Sequence, residues 1–310
     1  MKILGIVYGE VSSYSLIEDG KVVDSKVLSS KDPLRDFKEN HEVGDVKYFV
    51  TTFPESSLTK DNKFDYEQMR NIAGKNKGQI YCLGNNQALA AYSYFSNDSK
   101  KSLIVTIMDE GEEQGGFKSS FTVWLGEKNS IVPFHTFESQ KMNILRIWSN
   151  IAQTVFNLQP SVESFIKISD LAKQGDGDRY FELMWNMITQ DHETMSMNLN
   201  KRNIRKYFNL FSENKIASED KKDIAAALQR CTVESFTTLI DASKSLEDFN
   251  HISLSGLIGY NKDLVSEIQK SFPEITVHTS DCHDADEISR GAAMFIHNIV
   301  LELGKKDEDS

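Results

Sequence analysis

The residues best equipped for chemistry crowd into one stretch near the C-terminal end. Residues 278–287 (HTSDCHDADE) place His278, His283, Cys282, Asp281, Asp284, Asp286 and Glu287 within ten positions. His278 and His283, with Asp281 or Asp284, offer the imidazole nitrogens and carboxylate oxygens that hold divalent cations, and Asp109 is a further carboxylate that can join them. The spacing fits no zinc pattern. Acidic residues ahead of a helix also cap it and complement its dipole, so plain capping stands beside metal binding as an account of this segment. The chain has no Walker-type glycine loop, dinucleotide fingerprint, nucleophile elbow or His-Glu-x-x-His pair, which lowers the expectation for those chemistries.

Alternating strands and helices must carry these groups. Residues 2–9 (KILGIVYG) form an apolar run ending at glycine, and residues 13–28 alternate around Asp19-Gly20, a strong hairpin signal. A helix is predicted over 32–40 after Asp32-Pro33, a strand over 46–53, a helix over 64–75, a strand over 79–84 and a helix over 85–95. A second cycle begins with the apolar run 102–111 and a hairpin over 119–137 around Gly126–Asn129. Helices are then predicted over 143–156, 161–173, 179–189 and 221–246. Strand, helix, strand and helix follow at 251–256, 261–272, 275–280 and 286–304. Trp148, Phe156, Met184 and Trp185 fall at helical spacing and are read as core.

Each cycle opens with a strand and a hairpin, a little over a hundred residues apart. This is repetition at domain scale rather than a short solenoid period. It predicts a duplicated α/β architecture of the actin, sugar-kinase and heat-shock-ATPase kind, with two lobes, an interlobe cleft and a helix-enriched second lobe. An ordinary three-layer α/β domain with an N-terminal hairpin is the competing arrangement. The lobes are expected at residues 1–100 and 101–303, with a frayed tail at 304–310.

Composition narrows the function classes. The 310 residues are 39% hydrophobic and 26% charged, as expected of a chain that buries a core. A net charge of −11 disfavours a generic nucleic-acid surface. No apolar run approaches the roughly 20 residues that span a bilayer, and the opening MKILGIVYGE is too quickly polar for a secretory signal. Cys82, Cys231 and Cys282 are widely spaced and odd in number, which predicts free thiols and a cytoplasmic location.

Segments along almost the whole chain, in order, resemble the N-terminal domain of the O-carbamoyltransferases that decorate nodulation factors, cephamycins and aminoglycosides. ILGIVYGEVSSYSLIEDGK keeps the family's Gly9, Ser13 and Asp19-Gly20, with Glu10 where the family has histidine. NNQALAAYSYF is similar to its histidine-rich helix, but Asn85, Asn86 and Leu89 replace the histidines. VTIMDEGEE resembles a strand ending in aspartate, represented by Met108 or Asp109. KISDLAKQG keeps Lys167, Leu171, Ala172 and Gly175. DIAAALQ (223–229) is nearly intact. LSGLIGYN keeps Gly256 and Asn261 but has Leu257 at a glycine position, and DADEISRGAA keeps the closing Gly-Ala-Ala.

The resemblance implies the two-lobed fold and a ligand of ATP or carbamoyl-adenylate type, with Mg²⁺ as a possible companion ion; the residues alone fix no cofactor. Phosphate cradling in this fold uses glycines that let backbone N–H groups approach oxygens. The implied positions are Gly9, Ser12 and Ser13 at one turn and Gly256 at another, with Lys167 as the basic residue and Asn261 as ligand contact or helix cap. Asn85 and Leu89 stand at metal-ligand positions, and neither replaces imidazole, so no metal is expected there. In the family a further domain forms the carbamoyl-adenylate, and this chain ends where that domain would begin. The expected function is therefore a carbamoyltransferase-like transfer subunit acting on an acceptor hydroxyl, with catalytic residues unassigned. Its partner would be a separate activating subunit or a second copy, with no nucleic acid and no membrane. The alternative is a non-catalytic pseudoenzyme or partner subunit.

Overall fold

A computed structural model describes residues 1–9, 11–29, 32–53, 70, 74, 78–113, 116–137, 144–159, 161–191, 196–200, 203, 218–279 and 284–308. The chain opens with β1 (Lys2–Val7), β2 (Val11–Glu18) and β3 (Lys21–Ser29) as an antiparallel meander. The β2–β3 turn is made by Asp19 and Gly20, both at positive φ (49° and 81°), as an Asp-Gly hairpin turn requires. After α1 (Pro33–Asn40), whose N-terminus is capped by the Asp32 carboxylate, β4 (Val46–Phe53) and β5 (Gln79–Gly84) add in parallel on the other side of β1. The sheet order is β3-β2-β1-β4-β5. The helix expected over 64–75 lies outside the described residues, save Arg70 and Gly74, which are helical.

The same construction then repeats. After α2 (Asn85–Phe95), β6 (Lys101–Glu113), β7 (Gly116–Glu127) and β8 (Ser130–Phe137) form a second antiparallel meander. Strands β11 (His251–Gly256) and β12 (Thr276–Thr279) pair in parallel beside β6, giving the order β8-β7-β6-β11-β12. The two sheets share one order and one pattern of directions, so the duplication anticipated from the hairpin spacing is the architecture of the molecule.

Helices account for the apolar faces. On one face of the first sheet, Leu4, Ile6, Tyr14, Leu16 and Phe49 pack against Leu34 and Phe37 of α1. On its other face Ile3, Val7, Ile17 and Val50 meet Ala88 and Leu89 of α2 and Ile288, Ala292 and Ala293 of the last helix, α8 (Asp284–Glu308). Because both faces are covered, the parallel strands read as nearly continuous apolar runs rather than alternating ones. α8 lies against β1 and β2, α2 against β6 and β11, and the two helices lie against each other. Each half thus lends its last helix to the other half's sheet.

Between β8 and β11 the chain is mostly helical: α3 (Ile144–Thr154), α4 (Val162–Ala172), α5 (Asp178–Trp185) and the long α6 (Ser218–Leu246). Trp148 and Met184 are buried in this core and Phe156 and Trp185 pack against it, as their spacing implied. The predicted helix 179–189 stops at Trp185, where Asn186 caps it, and Ile188–Asp191 instead forms β9, paired with β10 (Ser196–Leu199). At the C-terminus α8 runs to Glu308, past Gly304 where a frayed tail was expected. No helix among the described residues is long and apolar enough to cross a membrane. Cys82 and Cys231 are free thiols, and Cys282 lies outside the described residues.

Candidate functional site

Strand β11 ends at Gly256, whose φ of 75° and ψ of −150° turn the chain into a 3₁₀ segment, Leu257–Tyr260. Helix α7 (Lys262–Ser271) starts immediately after, with the Asn261 side chain accepting the Leu264 N–H at 3.0 Å. Opposite this helix start lies one face of α4, on which Ile166, Ser169 and Asp170 recur at the spacing of a helix face, continued by Lys173 at its C-cap. These residues, with Gly259, Tyr260, Lys262, Asp263, Val265 and Thr279, line an open groove of about 640 Å³, within the usual size range of small-ligand sites.

The groove has an apolar wall and a balanced set of charges, Asp170 and Asp263 with Lys173 and Lys262. Ile166 is exposed there, one of seven large apolar side chains left to solvent among the described residues. Lys173 is engaged twice, with Asp170 at 2.9 Å and Asp263 at 3.3 Å, and these hydrogen bonds hold its ammonium above the usual lysine range. Lys262 has no ion-pair partner among the described residues. It stands beside the first turn of α7, where backbone N–H groups and the helix dipole favour an anion. The Ser169 hydroxyl is buried and makes no hydrogen bond.

Two segments far apart in sequence line this groove, and a third packs behind them. Gly175, at the end of KISDLAKQG, lies against the start of α6: a Cβ there would stand 2.1 Å from the Lys222 carbonyl oxygen. The Asp223 carboxylate accepts the Asp176 N–H at 2.7 Å and an Arg179 N–H at 2.9 Å, which together hold it below the usual carboxylate range. Further along α6, Gln229 and Asn261 exchange two amide hydrogen bonds, at 3.0 and 2.7 Å. KISDLAKQG, DIAAALQ and LSGLIGYN are therefore in mutual contact, with DIAAALQ largely buried behind the other two.

Individual site residues fall as follows. Gly9 sits in the exposed β1–β2 turn, where its N–H and carbonyl both bond the Ser12 hydroxyl, at 3.3 and 3.1 Å. The Ser13 hydroxyl is buried and donates to the Ala285 carbonyl in the first turn of α8. Asn261 is buried, its amide occupied by Gln229 and by capping. Lys167 lies on α4 but outside the groove lining, and the basic residues that do line it are Lys173 and Lys262. Each of those two reads locally in the sequence as a solvated helix lysine, with no motif to mark it.

The positions where the resembled family holds a metal do not fit one. Leu89 is fully buried in hydrocarbon and its Cδ2 lies 3.4 Å from where a Gly256 Cβ would stand. Asn85 offers a single amide oxygen, buried and without a hydrogen-bond partner. Of the alternative set, Asp109 and His278 are not brought together. His278 pairs with Ser253, and Ser253 with Ile104, whereas Asp109 lies five residues farther along β6. That separation is about 16 Å along the strands and about 10 Å across them. His283 lies outside the described residues, and Asp284 is described only as the first residue of α8.

His278 has another consequence. Its ring stacks on His251, with centroids 5.4 Å apart and planes 9° from parallel. Burial first, and then the neighbouring His251, hold its pKa below the ordinary imidazole value. Burial and then the Met1 amino group do the same to His297, against the pull of Asp19. Such a histidine binds protons less well folded than unfolded. Neither matters above the unfolded value of about 6.5, and stability falls as pH drops through it toward the folded values. The melting temperature is expected to fall between about pH 7.5 and about pH 5.5, with a shallower slope in a His278→Gln, His297→Gln double variant. An unchanged slope would contradict this assignment.

Comparison with known proteins bears on the fold. No protein-family profile matches the chain, and no curated protein sequence does. Among solved structures it is similar to a putative sugar kinase from Cytophaga hutchinsonii (TM-score 0.52, 12% identity, covering 96% of this chain and 99% of that one). It is also similar to a ROK family protein from Streptococcus pneumoniae TIGR4 in complex with sucrose (TM-score 0.51, 10% identity, covering 98% and 100%). A ROK hexokinase from Thermus thermophilus gives the same TM-score of 0.51 at 10% identity, covering 97% and 100%. These likenesses establish the sugar-kinase, actin-like fold, and at such identities they establish the fold alone.

Proposed function

We propose that the groove between α4 and the start of α7 binds an adenine nucleotide, and that the chain is a carbamoyltransferase-like transfer subunit using a carbamoyl-adenylate. One observation carries this reading: three of the segments that resemble the carbamoyltransferases, the nearly intact DIAAALQ among them, meet in space, and the other two line the groove. Lys262 and the N–H groups at the start of α7 suit a phosphate, while Ile166 and Tyr260 offer the apolar surface a base requires. In the reaction the acceptor oxygen bonds to the carbamoyl carbon. The carbon–oxygen bond to phosphate breaks, AMP leaves with the electron pair, and the hydroxyl proton passes to water. In this reading Ser96–Lys100 joins a first half within residues 1–100 to a second within 101–303.

A second reading has its own observation. Leu89 fills a metal-ligand position with hydrocarbon, and Ser13 and Asn261 spend their polar atoms inside the protein. A subunit that keeps the frame and binds a partner would show that pattern.

Calorimetry with ATP, AMP and carbamoyl phosphate, with and without Mg²⁺, separates the two. The nucleotide reading expects micromolar AMP or ATP binding, weakened at least about tenfold by Lys262→Glu through loss of one charge-assisted contact. Carbamoylation of hydroxyl acceptors should follow when carbamoyl-adenylate is supplied. Absent or millimolar nucleotide binding would leave the non-catalytic reading in place.

A further inference from the structure

Seven large apolar side chains are exposed among the described residues, and four of them, Val11, Val22, Val23 and Val27, gather at one edge of the first sheet. That edge is β3, the terminal strand, which among the described residues is paired on its inner side only, with β2. The register places Val27 opposite Ser13 and Ser25 opposite Ser15, and Val22 opposite Ile17, with Val23 as the extra residue of a bulge. Ser13 and Ser15 both bond α8, through Ala285 and Ser289, so this is the face α8 covers. α8 reaches Ser25 through Asp286 and Arg290 but leaves the valines to solvent. On the opposite face, Asp24 and Lys26 flank Ser25, bonded to His41 and Asp36, with 36% and 46% of their side chains still exposed.

An open edge presenting valines is a liability that proteins ordinarily blunt with lysines and bulges. Here those same features are self-complementary. Consider β3 paired antiparallel with β3 of a second copy about a two-fold axis at Ser25. Val23 meets Val27 of the second copy on the face that α8 borders, and Asp24 meets its Lys26 on the other face. Each contact occurs twice. Cross-strand pairs of these kinds, aliphatic with aliphatic and opposite charge with opposite charge, are the ones that stabilise antiparallel pairing. The resulting sheet has ten strands, five from each copy. An isologous contact of this type consumes both β3 edges and closes, whereas pairing β3 with β5 of the next molecule would propagate.

We propose that β3 is the interface of a homodimer, formed by antiparallel pairing of Val23–Val27 with the same segment of a second copy in the Asp24-to-Lys26 register. This interface is independent of the nucleotide groove, which lies on the second half of the chain.

Sedimentation velocity on the full chain over a concentration series tests it. The wild type should show a reversible monomer–dimer equilibrium. Asp24→Lys and Lys26→Asp alone should each weaken association at least about tenfold, by setting like charges opposite one another. An equimolar mixture of the two variants should regain a dimer, because opposite charges then meet at both crossings. Val27→Lys, which touches neither charged residue, should also weaken the dimer and keeps the test decisive if a charge reversal fails to fold. A wild type that stays monomeric up to its solubility limit overturns the proposal. A dimer that survives Val27→Lys overturns it too, as does a mixture no tighter than either folded variant alone.

Discussion

Gly256→Ala is expected to destabilise the protein by about 3 kcal/mol or more, the sum of a glycine-only backbone conformation and an overpacked contact. The residue holds φ 75° and ψ −150°, where an L side chain is strained whatever the space. The space is also taken. A Cβ would stand 2.0 Å from the Ile107 carbonyl oxygen, and Ile107 is the residue of β6 directly opposite Gly256 in the parallel pair. A side chain could rotate away; a carbonyl within a sheet ladder cannot move without breaking register on both strands. The damage should reach the groove, because the 3₁₀ turn that begins at Leu257 carries Gly259 and Tyr260 to its lining. Thermal melting and nucleotide calorimetry on the same variant check this, and a melting temperature equal to wild type would contradict it. Gly9→Ala is the informative control. Gly9 is not among the residues with positive φ, and its nearest neighbour to a new Cβ is the Val11 carbonyl at an ordinary 3.4 Å. A change within about 0.5 kcal/mol is expected there.

That contrast shows where sequence reasoning reached its limit. Gly9 and Gly256 look alike as letters, each closing an apolar strand, yet one sits in an open turn and the other is locked by a partner strand 149 positions away in register. The strands, hairpins and duplicated order were legible because periodicity and Asp-Gly chemistry are local properties. Strand β9 was not, because Met187-Ile188-Thr189 continues the apolar spacing of the helix before it, and only its pairing with β10 decides the matter. Asp109 and His278 looked compatible as ligands because sequence carries no register between β6 and β12. The groove was legible only as motifs. That Gln229 would clasp Asn261, or that Lys262 rather than Lys167 would face the open space, depends on how α4, α6 and α7 converge. In the same way, Ser13 resembles a phosphate-turn serine until α8 is seen to place the Ala285 carbonyl above it.

The closing Gly-Ala-Ala of the last helix invites a plainer explanation than ligand binding, and Gly291→Ala tests it. Alanine is the better helix former by about 1 kcal/mol in an exposed helix interior, so on propensity alone the variant should gain stability. Packing opposes this. At Gly291 a Cβ would lie 1.9 Å from the Ala88 carbonyl oxygen and 2.8 Å from the Tyr92 backbone nitrogen, so α8 and α2 touch backbone to backbone at their crossing. Both obstacles belong to the α2 main chain, and relief requires the helices to move apart. Ala88, Ala292 and Ala293, all fully buried, would then lose contact together. Overpacking of this kind costs about 3 kcal/mol where nothing can rotate away, which exceeds the propensity gain and leaves a net loss of about 2 kcal/mol. The consequence is wider than one helix, because α8 lies on the first sheet and α2 on the second. Loosening their crossing loosens the only helix pair that each half exchanges with the other among the described residues. Denaturant unfolding should therefore show a lower midpoint, and proteolysis should cut the variant faster than wild type under native conditions. Gly44→Ala supplies the reference, since nothing lies within 4 Å of a Cβ there, and it should change stability by no more than about 0.5 kcal/mol. If Gly291→Ala proved as stable as Gly44→Ala, the two halves would not be held by this crossing, and the small residues of the last helix would need a different reason.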